Sequence, residues 1–130
     1  MTTIMTPGQL VSDFISAFNN RDLDAALAMV DDECEYDNVP MGKVVGPEGM
    51  RASLAPFIGG CDQVEWLVSH QVESGSMHAG VVMNERVDRF HLGDHWLEIA
   101  VAGLFVIRNG RIVLWRDYFD KQTFLDQMSA

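Results

Sequence analysis

Residues 96–120 read Trp-Leu-Glu-Ile-Ala-Val-Ala-Gly-Leu-Phe-Val-Ile-Arg-Asn-Gly-Arg-Ile-Val-Leu-Trp-Arg-Asp-Tyr-Phe-Asp. Two apolar runs flank Asn109-Gly110, a pair that tolerates the positive φ needed at both central positions of a type I′ turn. The stretch is therefore expected to be a β-hairpin, with strands over 96–107 and 111–120. Moving toward the amino end, period-two patterning continues through 78–90 and 63–73. Before Gly59-Gly60 the period becomes helical. Thr6-Pro7 supplies a cap and a first helical residue, and Leu10, Val11, Phe14, Ile15 and Phe18 form one apolar stripe over 7–19. Asp22 caps a second helix with Leu23, Ala26, Leu27 and Val30 buried. Residues 33–38 are extended. Gly46-Pro47 opens a third helix to about Ile58, with Met50, Leu54 and Phe57 inward. A short tail helix over 121–127 docks through Phe124 and Leu125. Helices followed by strands predict an α+β fold, with helices over one face of a largely antiparallel sheet.

The 130 residues suit one domain over 1–130, and 48% hydrophobic with 22% charged residues is enough to build a core. A formal net charge of −10 argues against a nucleic-acid partner, which needs a basic face, and against anionic membrane surfaces. Residues 1–7 show no basic segment followed by an apolar one, and no apolar run approaches a membrane span, so the cytoplasm is the expected location. Cys34 and Cys61 read as reduced core residues. His70, His78, His91 and His95 form no familiar ligand motif, and no phosphate or dinucleotide loop occurs, so no metal or cofactor is expected. No Gly-x-Ser-x-Gly elbow is present either.

Charged groups on otherwise apolar strand faces carry the chemical signal. Val113, Trp115, Asp117 and Phe119 alternate onto one face, where a lone carboxylate is costly unless paired or lining a cavity. Val82, Asn84, Arg86, Asp88 and Phe90 share another face. With a two-residue loop at Asn109-Gly110, Asp117 falls opposite Ala102. A three-residue or bulged turn at 91–95 would set Arg86 opposite Ala102 and Asp88 opposite Ala100. The small alanines would then let Arg86 reach Asp117. A two-residue loop at Gly93-Asp94 would instead place the two sets on opposite faces. Tyr36 and Asn38 alternate onto one face and offer groups that can orient water.

Taken together, Glu85-Arg86-Val87-Asp88, Tyr36-Asp37-Asn38 and the closing run Leu114-Trp115-Arg116-Asp117-Tyr118-Phe119-Asp120 resemble the limonene-1,2-epoxide hydrolase family over most of the chain. The resemblance implies a strongly curved mixed sheet whose three to four helices close a deep apolar pocket, a fold related to the cystatin-like and nuclear-transport-factor-like ones. It also implies a homodimer, often formed through the outer face of the sheet. The implied substrates are water and a hydrophobic, cyclic epoxide. The implied roles are Asp117 as general base, Asp88 as general acid, Arg86 as their bridge, and Tyr36 and Asn38 as water holders. Met77, Val82, Trp96, Leu114 and Phe119 are candidate pocket walls, and the eight methionines suggest an adaptable lining. Two alternatives stand beside this reading. One is a related isomerase or polyketide cyclase using an aspartate to remove a carbon-bound proton; the other is a non-catalytic small-ligand-binding module.

Overall fold

The computed structural model describes residues 5–129; Met1 to Ile4, part of the stretch read above for a leader, lie outside them. Helix α1 (Pro7–Asn19) starts where Thr6 accepts the Gln9 N–H and Pro7 occupies the first turn. Its stripe, Leu10, Val11, Phe14, Ile15 and Phe18, is buried. Full burial of each such phenylalanine contributes about 1.5–3 kcal/mol. At its other end Asn19 grips the backbone of Trp66, accepting the N–H at 2.6 Å and donating to the carbonyl at 3.2 Å.

Helix α2 (Leu23–Leu27), capped by Asp22, is a single short turn. Val30, expected on its stripe, instead begins strand β1 (Val30–Asn38), where it pairs with Ile112. Either conformation buries the side chain, so periodicity could not separate them. Strand β2 (Gly42–Val45) was not expected: it is a short, exposed edge with no apolar alternation. Helix α3 (Gly46–Gly59) buries Met50, Leu54 and Ile58. Four further strands follow: β3 (Gln63–Gly75), β4 (Ala79–Leu92), β5 (His95–Arg108) and β6 (Arg111–Tyr118). Asp120 then caps helix α4 (Lys121–Met128) through the Thr123 N–H. Phe124 packs inward from α4 as expected, but Leu125 is exposed.

The six strands form one curled mixed sheet in the order β2-β1-β6-β5-β4-β3. All pairings are antiparallel except β1 with β6. Asn109 and Gly110 both take positive φ, as the I′ turn requires. The 91–95 turn is the two-residue version: Leu92 pairs with His95, leaving Gly93-Asp94 as the loop. That alone would have separated Arg86 from Asp117. A β-bulge at Val113 cancels it. Ile112 pairs with Ile107 but Leu114 pairs with Val106, so every later residue of β6 shifts by one. Asp117 therefore lies opposite Gly103, not Ala102, and the inward set on β6 is Ile112, Trp115 and Asp117, with Val113 only half-buried.

Candidate active site

Residue 103 of β5 sits between the two charged strands, paired with Asn84 on one side and Asp117 on the other. It is glycine. A Cβ there would overlap Nη1 of Arg86 and crowd Asn84 Oδ1 at 2.9 Å and Asp117 Oδ1 at 3.1 Å. The passage expected over Ala100 and Ala102 is thus made by Gly103. Both alanines point to the opposite face and are exposed, while Arg86 and Asp88 pair with Val101 and Ile99.

Through that gap Arg86 joins two carboxylates. Its Nε donates to Asp88 Oδ1 at 2.8 Å, and Nη2 donates to Asp88 Oδ2 at 3.2 Å and to Asp117 Oδ2 at 2.6 Å. The other oxygen of Asp117 accepts the indole N–H of Trp115 at 2.9 Å. The Arg86 side chain has no exposure, and those of Asp88 and Asp117 have 7% and 6%. Burial in such a site favours neutral forms, and opposite charges oppose that. For Asp88 burial wins: against the pull of Arg86, and with the added push of Asp117, its pKa rises to about 6. Burial also works against the Arg86 charge, but the carboxylates of Asp117 and Asp88 outweigh it and hold the guanidinium protonated. Burial raises the Tyr36 phenol well above its ordinary value.

Asp88 and Asp117 face a cavity of about 240 Å³, and Tyr36 and Asn38 line it beside them. The parallel pairing of β1 with β6 sets Asn38 next to Asp117 and Tyr36 next to Trp115, whose ring it stacks on at 4.0 Å. The walls are Leu54, Phe57 and Ile58 from α3, Trp66, Phe90, Ile99 and Val101 from the sheet, and Phe119 and Phe124 beyond it. Met41 and Ser53, both exposed, complete the lining. Arg86 is not part of that lining; it reaches the acids from behind the wall.

The structure brings together all five residues singled out for chemistry, but only one of the five expected wall residues, Phe119. Met77 belongs to the turn before β4 and accepts the Gly110 N–H with its backbone. Val82 is in the core opposite Phe105. Trp96 covers the guanidinium of Arg89 at 4.2 Å, away from the cavity. Leu114 is turned outward by the bulge that turns Trp115 inward. Nor is the lining rich in methionine: among the described residues Met41 alone contributes, and aromatic rings dominate. Cys34 and Cys61 are free and buried. Among the described residues no group of three or more His, Cys, Asp or Glu side chains is placed to hold a metal. No helix among them is long and apolar enough to cross a membrane.

Sequence reasoning did not assign a site role to Gly103 or Trp115. The signal available for Trp115 was its place two residues before Asp117. Gly103 had none until the register was known.

Residues 5–130 match the family model described as the limonene-1,2-epoxide hydrolase catalytic domain. The chain is 32% identical over 111 residues to the epoxide hydrolase EphG of Mycobacterium tuberculosis, covering 85% of this chain and 70% of that protein. A solved structure of an M. tuberculosis limonene-epoxide-hydrolase-like epoxide hydrolase superposes with a TM-score of 0.75 at 29% identity, over 91% of this chain and 85% of that one. A Catenulispora acidiphila protein with a ketosteroid isomerase-like fold, solved with trimethylamine, gives a TM-score of 0.79 at 19% identity, over 96% and 95% of the two chains. At that identity the likeness is one of fold.

Proposed function

Since the chain belongs to the limonene-1,2-epoxide hydrolase family, we propose that it hydrolyses a hydrophobic, cyclic epoxide to a vicinal diol in one step. The observation that carries this reading is the buried Arg86 joined to two carboxylates that both face an apolar cavity. An epoxide is strained, but its leaving group is an alkoxide. Opening it near neutral pH calls for a stronger nucleophile and a proton donor at the same moment.

In this mechanism Asp117 takes a proton from a water held also by Tyr36 and Asn38. The water oxygen bonds to one epoxide carbon while the carbon–oxygen bond on that carbon breaks. Asp88 gives its proton to the departing oxygen. The diol leaves with Asp117 protonated and Asp88 ionised, and one proton passes back between them. Arg86 stays charged throughout and lets the two acids share a single proton. The raised pKa of Asp88 suits a donor.

Asp117→Asn and Asp88→Asn should each keep the fold and abolish diol formation across a panel of cyclic epoxides. In ¹⁸O water under single turnover, label should enter the diol directly. Label appearing first in an aspartate would replace this scheme with a covalent one. A panel that stays silent while a ketosteroid or polyketide is converted would favour proton abstraction from carbon by the same carboxylates.

The proposed assembly is a homodimer through the outer face of the sheet. Val72, Val81, Met83 and Val87 are exposed there beside Ala100 and Ala102, a larger apolar area than single scattered residues explain. Light scattering giving twice the chain mass, reduced to one by Met83→Lys with Val87→Lys, would support it.

A further inference from the structure

Asn84 lies on the inward face of β4, two residues before Arg86, and is buried, with 5% exposure. It does not line the cavity. Its Oδ1 accepts from Arg86 Nη1 at 3.0 Å, and its Nδ2 donates to Gln71 Oε1 at 3.2 Å. Gln71 in turn donates to the Gly8 carbonyl at 3.2 Å and to Ser12 Oγ at 3.3 Å, both on α1. The direction of this relay is fixed by chemistry. A guanidinium only donates, so the amide oxygen of Asn84 must face it and the amide nitrogen must face away. The nitrogen of Gln71 is then left for α1. A bulge between Val68 and His70 in β3 brings Gln71 opposite Asn84; without it, residue 70 would take that place.

We propose that Asn84 is a positioning residue: by holding Nη1 of Arg86, and being held itself by Gln71, it sets the guanidinium so that Nη2 lies between the two acids. This rests on the reading of Asp88 and Asp117 as the acid and base. An amide suits the task where a carboxylate does not. It accepts the third edge of the guanidinium without adding a negative charge, so the positive charge is divided between Asp88 and Asp117 alone. The charged groups acting on Arg86 are Asp88 on its own strand and Asp117 on β6, with the Tyr36 phenol on β1 in the same field. β5 presents Gly103 and Val101, without charge. Glu73 of β3 stands at the far end of the relay, bonded to the Gly8 N–H.

Three variants test the assignment with cyclohexene oxide as probe: Asn84→Ala, Asn84→Asp and Gln71→Leu. Losing a hydrogen bond to a charged group should lower kcat/KM about tenfold or more in Asn84→Ala. The acid limb of its pH–rate profile should also move upward, because a less well-placed Arg86 leaves the carboxylate pair harder to ionise. Asn84→Asp restores the acceptor but adds an anion, and should move the limb further the same way. Gln71→Leu should give a smaller shift of the same sign. Thermal unfolding checks that each variant is folded. The limb staying where it is in folded Asn84→Ala and Asn84→Asp would overturn the proposal, as would wild-type behaviour in both. Should Asn84→Ala not fold, the limb in Asn84→Asp and Gln71→Leu decides the matter by the same criterion. Carbon-13 NMR titration of the aspartate carboxyls reads the shift without turnover. An inactive wild type whose carboxyl titration still moves in the variants would therefore count against the epoxide reading and not against Asn84.

Discussion

Gly103 and Trp115 do for the site what its charged residues cannot do for themselves. Adding one methyl in Gly103→Ala should displace Arg86, cost about 1–3 kcal/mol by overpacking, and remove most diol formation; thermal unfolding and a steady-state assay measure the two effects. Trp115→Phe keeps a ring against Tyr36 and Phe14 but deletes the N–H that Asp117 accepts. It should lower kcat more than KM changes, by about tenfold for a hydrogen bond to a charged acceptor. In the proposed mechanism the acid of the pair sets the alkaline side of the activity profile. With Asp88 at about 6, its donating form prevails below that pH and is lost above it. The kcat/KM of the wild type should therefore fall as pH rises past about 6, by about tenfold per unit. At this scale Asp117 was legible because a carboxylate on an apolar strand face is costly, whereas Arg86 and Asp88, which alone read as well as a solvated strip, stood out only through the family resemblance. Gly103 was not legible, since its importance comes from what crosses it and not from anything in its own neighbourhood of sequence.

Among the elements, the bulge at Val113 decides whether there is a site at all. The hairpin loops at Gly93-Asp94 and Asn109-Gly110 each have two residues. Parity then places Asp117 on the wrong face, and one extra residue in β6 corrects it. Nothing in Ile112-Val113-Leu114 marks the place, because three consecutive apolar residues look alike whichever of them is skipped. Deleting Val113 should remove the bulge yet leave Trp115 opposite Phe105 and Asp117 opposite Gly103, so the near-ultraviolet dichroism of the packed tryptophans should persist; its loss would show that the register does not depend on that one extra residue. Helix α4 is held differently. The amide of Gln127 pairs with both backbone groups of Glu98, accepting the N–H and donating to the carbonyl, each at 2.7 Å. These groups lie on the stretch of β5 beyond the last β6 pair, Ala102 with Tyr118, so a side chain completes the ladder where the strand stops. In Gln127→Ala the α4 amides should exchange with deuterium faster, and KM should rise as Phe124 loses its fixed place in the cavity wall.

The molecule as a whole places a buried ion cluster inside an apolar shell. Removing one member strands the rest: Arg86→Met leaves two carboxylates without a cation and should destabilise the fold by about 3–5 kcal/mol, as the midpoint of urea unfolding would report. The pH dependence has a definite sign. Asp88 holds its proton more tightly in the folded chain than at its ordinary value of 3.8. Its contribution to stability is thus full below that value and is lost as pH rises through about 6. Fold class was readable at this scale because the change of period from helix to strand is long and consistent. The parallel β1–β6 pairing and the pocket walls were not, since both depend on which distant segments meet.

Arg86 reaches its partners from behind the wall. Among the described residues, the surface open to a visitor therefore carries two carboxyl groups and no cationic side chain. A carboxylate-bearing guest would find no cation on that surface, so small ammonium ions should inhibit the proposed epoxide hydrolysis more strongly than carboxylates of like size, as inhibition constants would report.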